Sequence, residues 1–107
     1  MESNADEALV PWIWQIEVCN AIGKAVVRKK LDEARALAIW NELLALPIRQ
    51  VAIGNTPHLL RLAVKHNLSV YDTCYLNLAM TTGLPLATND DRLRQTAESY
   101  GLAAITP

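Results

Sequence analysis

Short apolar runs alternate with helical patterns of roughly ten to fifteen residues along this chain, and the alternation restricts the fold more than any other feature. A strand, a helix and another strand in succession allow parallel pairing bridged by helical crossovers. The chain is therefore expected to be α/β, with a short parallel sheet flanked by helices. Ligands of such sheets bind beyond the carboxyl ends of the strands, so polar residues that follow strands carry the functional interest. The 107 residues make one ordinary domain, 1–107, and 51% hydrophobic against 20% charged residues supplies the apolar surface for a core.

Ala8-Leu9-Val10 reads as the end of a first strand, and Pro11, which needs no amide partner at a helix start, leads into a helix over residues 12–27. Ile13, Trp14, Ile16, Val18, Ile22 and Val26 spread around that helix, which is expected to be covered on most sides. Asp32 caps a second helix to about residue 46, with Leu37, Trp40 and Leu44 as its buried stripe. Residues 48–53 form a strand. Thr56-Pro57 starts a helix to His66, and Ser69 caps another that Gly83 ends in the left-handed conformation. A strand over 84–88, a helix over 89–100 with Thr88 or Asn89 as its cap, and a strand over 103–105 complete the chain.

Ten Lys plus Arg against eleven Asp plus Glu give a net charge of -1, so no global positive field marks a nucleic-acid binder and any such contact is local. Arg28-Lys29-Lys30, Arg92 and Arg94 read as solvated faces first and phosphate contacts second. The acidic start, Met1 to Glu7, is unlike a secretory signal, and no apolar run is long enough to span a bilayer; a cytoplasmic protein without membrane contact is expected. Cys19 and Cys74, far apart and outside any zinc spacing, read as buried reduced thiols. No Gly-rich phosphate loop or Ser/His/Asp arrangement is recognisable, and His58 and His66 read as surface residues. Trp12, Trp14 and Trp40 suit a core or a partner contact.

Acidic residues offer the chemistry. Glu17 lies two turns into the most apolar helix, where an unpaired carboxylate is costly to desolvate, and Asn20 points to roughly the same side; a wet stripe shared with Lys24 accounts for the pair equally well. Asp72 stands three residues after Ser69, the spacing of a capping box and also a rigid place for a functional carboxylate. Asp90 and Asp91 directly follow a strand, at an expected crevice, and also sit where a helix dipole favours them.

Three segments together resemble the PIN-domain family, specifically the VapC-type toxins of bacterial toxin–antitoxin pairs. They are Glu17-Val18-Cys19-Asn20-Ala21-Ile22, Leu68-Ser69-Val70-Tyr71-Asp72-Thr73-Cys74-Tyr75 and Gly83-Leu84-Pro85-Leu86-Ala87-Thr88-Asn89-Asp90-Asp91-Arg92-Leu93, and the resemblance runs from about Ala8 to Thr106. It implies a PIN-like three-layer fold and an endoribonuclease that hydrolyses RNA phosphodiester bonds with Mg2+ or Mn2+. Glu17, Asp72 and Asp90 match the family's catalytic and metal-binding acids, with Asp91, Asn20 and Thr88 as auxiliaries. A VapB-type antitoxin and a second copy of the chain are the implied protein partners.

Members of that family begin with an apolar strand ending in an aspartate, then a helix, whereas Ala8-Leu9-Val10-Pro11 matches their second strand. The first central strand is thus expected to be missing, which leaves a gap between the strands at Ala8 and Leu86. Direct pairing, exchange with another protomer or a segment outside this chain would close it. Asp6 precedes the wrong strand to replace the lost ligand. Two further readings stand beside the ribonuclease: a catalytically impaired remnant that binds an antitoxin or dimerises, and a plain scaffold whose acids are only caps.

Overall fold

Pro11 marks the junction of the first strand and the first helix. In the computed structural model, which describes residues 7–106, it is the last residue of β1 (Ala8–Pro11) rather than the first of a helix, and the amide of Trp12 donates to the Val51 carbonyl at 2.8 Å. Asp6 lies outside the described residues. The chain divides into two compact units, Met1–Ala52 and Ile53–Pro107.

The first unit holds β1, α1 (Ile13–Val27), α2 (Glu33–Leu44) and β2 (Ile48–Val51). β1 and β2 pair in parallel from Ala8 opposite Ile48 to Pro11 opposite Val51. Asp32 caps α2 as its position requires, accepting the Arg35 amide at 2.7 Å. Trp14 and Trp40 stack with ring centroids 6.4 Å apart, fastening α1 to α2. The expected burial does not follow. No residue of α1 is buried, and in α2 only Ala36 is, with Leu37 59% and Leu44 54% exposed. Two helices on a two-stranded sheet offer too few neighbours to surround a helix that is apolar on most sides. Cys19, expected inside, is exposed for the same reason.

The second unit holds α3 (Thr56–His66), α4 (Val70–Thr82), β3 (Leu86–Ala87), α5 (Asp91–Ser99) and β4 (Ala104–Ile105). Its core is Leu76, Ala79, Leu86, Leu93 and Ala97, against which Leu68, Tyr75, Met80 and Leu102 pack. Cys74 is buried on α4. Ser69 caps α4 through its hydroxyl, which accepts the Asp72 amide at 3.0 Å, and Gly83 ends that helix at φ 72°. Two caps differ from expectation. Asn55, not Thr56, caps α3 by accepting the His58 amide at 3.1 Å, and Asp90 caps α5 in place of Thr88 or Asn89. Short polar side chains in succession compete for one role, and the backbone turn chooses among them. β3 and β4 pair in parallel, Leu86 opposite Ala104. His66 Nε2 and the Tyr100 hydroxyl meet at 2.6 Å in an exposed hydrogen bond between α3 and the end of α5.

The α/β class and the parallel pairing are as expected, but the pairing is distributed over two two-stranded sheets, with β1 and β3 in different ones. No helix among the described residues is long and apolar enough to cross a membrane.

Candidate functional site

Asp72 owes its position to the way α3 hands over to α4. Asn67 caps the end of α3 in the left-handed conformation at φ 52°, and two residues later Ser69 opens α4. The half-buried Asp72 therefore sits in a first turn fixed at both its hydroxyl cap and the Thr73 amide, which donates to the Ser69 carbonyl at 3.0 Å. Such a turn fixes the backbone from which the Asp72 carboxylate projects.

Asp90 is placed by the exit from β3. The Thr88 amide still belongs to the sheet, donating to the Ile105 carbonyl at 2.9 Å, and the Thr88 hydroxyl accepts the Asp90 amide at 3.0 Å. Asp90 in turn accepts the Leu93 amide through Oδ1 at 2.8 Å. One carboxylate oxygen is thus committed to the α5 amino end. Arg94 locks the same corner, donating to the Thr88 carbonyl at 2.8 Å, the Thr106 hydroxyl at 2.8 Å and Asp91 Oδ1 at 3.1 Å.

Asp72, Asp90 and Asp91 line one open pocket of about 440 Å³ together with Asn67, Ser69 and Arg92. It lies at the carboxyl ends of β3 and β4, where a parallel sheet is expected to offer its crevice. All its carboxylate donors are hard oxygens, with no His or Cys in the lining. That donor set fits Mg2+ or Mn2+, which take oxygen ligands and in the case of Mg2+ need only one or two carboxylates beside water and phosphate. Within neither unit do three His, Cys, Asp or Glu side chains among the described residues stand close enough to hold a metal ion by themselves.

The pocket brings together Asp72, Asp90 and Asp91, with Thr88 supporting it from behind. Glu17 and Asn20 are carried by α1 in the first unit, where Glu17 is half-buried and Asn20 lines a separate shallow groove with Ile16, Gly23 and Val27. Asn67 is a site residue that sequence reasoning passed over. Arg92, read there as a solvated face first and a phosphate contact second, lines the pocket from the first turn after a strand, the turn that faces the crevice.

The PIN-domain family matches this chain over residues 1–99. The chain belongs to the PIN-domain family. Among curated members, Ribonuclease VapC12 of Mycobacterium tuberculosis is 35% identical over 92 residues, covering 85% of this chain and 67% of that protein. Ribonuclease VapC1 of the same organism is 34% identical over 88 residues, covering 78% of this chain and 62% of that protein. The crystal structure of PAE2754 from Pyrobaculum aerophilum superposes with a TM-score of 0.76 at 25% identity, over 91% of this chain and 65% of that one. This PIN-domain chain therefore spans about two thirds of the length of these relatives.

Proposed function

We propose that this PIN-domain protein is a VapC-like endoribonuclease that uses Mg2+ or Mn2+, with Glu17, Asp72 and Asp90 as the catalytic and metal-binding acids and Asp91, Asn20 and Thr88 as auxiliaries. The observation that carries the reading is the shared pocket of Asp72 and Asp90, two carboxylates presented by capped helix starts with an oxygen-only donor set. Like charges held in one pocket repel, and a divalent cation relieves that repulsion. When bound, such a cation supplies Lewis-acid polarisation of a phosphodiester and charge for the leaving oxygen. The chain's own residues prepare the place for it. Ser69 and Thr88 fix the turns that present the two acids, and Arg94 holds Asp91 and the Thr88 carbonyl in one corner. The names of the curated relatives support RNA as the substrate and a VapB-type antitoxin as the partner. A cytoplasmic homodimer completes the reading.

Divalent dependence and Glu17 provide the test. The 107-residue chain is expected to cleave labelled single-stranded RNA with Mg2+ or Mn2+ and to stop in EDTA, and Glu17→Gln is expected to lower the rate about 100-fold or more without changing the melting temperature. Cleavage that persists in EDTA, or a Glu17→Gln variant as active as the parent, would overturn the assignment.

One observation favours a second reading, an antitoxin-binding or dimerising module without activity. The most apolar helix, α1, buries none of its residues and leaves Ile16 51% and Val27 80% exposed, the surface of a helix that waits for a partner. Isothermal titration separates the two: the module predicts no saturable Mg2+ or Mn2+ site, the nuclease predicts one.

A further inference from the structure

The acidic pocket of the second unit faces an electrostatic difficulty, because the carboxylates that suit a cation also repel the phosphodiester of an RNA substrate. Arg92 is the cation in its lining. We propose that Arg92 is the phosphate-binding residue of this pocket, taking the non-bridging oxygens of a phosphodiester in single-stranded RNA beside Asp72 and Asp90; the proposal rests on the ribonuclease reading above.

Three observations select Arg92. Arg94, two residues further on, is spent on Asp91, Thr88 and Thr106, with its side chain only 26% exposed. Arg92 instead is exposed at the pocket and donates from Nη1 to the backbone carbonyl of Asn67 at 3.0 Å, a bond that takes one N–H of a guanidinium that has five. That single bond also orients it. The Asn67 carbonyl belongs to the left-handed cap that ends α3, where an unsatisfied acceptor and the negative end of the helix dipole favour a cation. The guanidinium is thereby drawn from α5 to the segment leading into Asp72, and its remaining planar fork matches a phosphate's two oxygens. Ordering before substrate arrives reduces the entropy lost on binding.

The test compares the parent chain with Arg92→Gln and Arg92→Lys, by steady-state cleavage and by equilibrium binding of labelled single-stranded RNA with Ca2+ in place of Mg2+, over 50 to 200 mM KCl, a span of roughly the range in which phosphate contacts dominate affinity. Arg92→Gln is expected to raise KM and Kd about tenfold with kcat within about twofold, and to flatten the log–log salt slope by about 0.7, the contribution of one phosphate contact on a single strand. Arg92→Lys is expected to keep the salt slope while losing part of the affinity, since the charge remains and the fork does not. A KM and Kd for Arg92→Gln within twofold of the parent, or a fall in kcat with an unchanged salt slope, overturns the proposal and leaves the ribonuclease intact. A parent chain that neither cleaves nor binds RNA overturns the ribonuclease reading, and Arg92 falls with it.

Discussion

Asp90→Asn is expected to reduce divalent-dependent RNA cleavage by about 100-fold or more and to leave stability within about 0.5 kcal/mol of the parent. The separation of the two effects follows from what the side chain does. Oδ1 of Asp90 accepts the Leu93 amide at 2.8 Å and caps α5. Asparagine keeps that oxygen and caps as well as aspartate. What it removes is the negative charge in the pocket shared with Asp72, on which the proposed cation binding depends. Cleavage assays beside a thermal melt decide the matter. Unchanged cleavage would reduce Asp90 to a cap, and a large loss of stability would show that the carboxylate charge itself holds the helix.

The largest expected loss of stability comes from Leu76→Ala. Leu76 is fully buried on α4, one turn beyond Asp72, and packs with Ala79, Leu86, Leu93 and Ala97. Truncating a leucine in such a setting costs about 3 kcal/mol, the removed methyl groups and the cavity both contributing. In a chain of this size that corresponds to a fall in melting temperature on the order of 10–20 °C, read by circular dichroism. A shift below about 3 °C would contradict the packing of α4 against β3 and α5. The same measurement has a functional side, because the amino ends of α4 and α5 present the three acids of the pocket, Asp72, Asp90 and Asp91.

Local signals were legible in the sequence. Asp32, Ser69 and Gly83 occupy the capping roles that their types and positions predict, since a cap depends only on neighbouring backbone. Asp72 and Asp90 could be placed at turns after recognisable elements, which is why their shared pocket was within reach. Where several cap formers stand in a row, as in Thr88-Asn89-Asp90, the choice belongs to the turn and not to composition. Burial was legible only in part. Periodicity identified the apolar faces of α1 and α2, yet whether Leu37, Leu44 or Cys19 is covered depends on which elements are available to cover them. The contrast between Arg92 and Arg94 was invisible for a related reason: their acceptors, Asn67 and Thr106, are distant in sequence.

Each unit carries one thiol, and the two differ in access: Cys19 is exposed on α1, whereas Cys74 is buried on α4 two residues after Asp72. A maleimide would mark the first in the native protein and reach the second when α4 opens. The chain thus carries its own clock for the integrity of the helix that presents Asp72, with an internal reference on the other unit and both thiols native to the sequence.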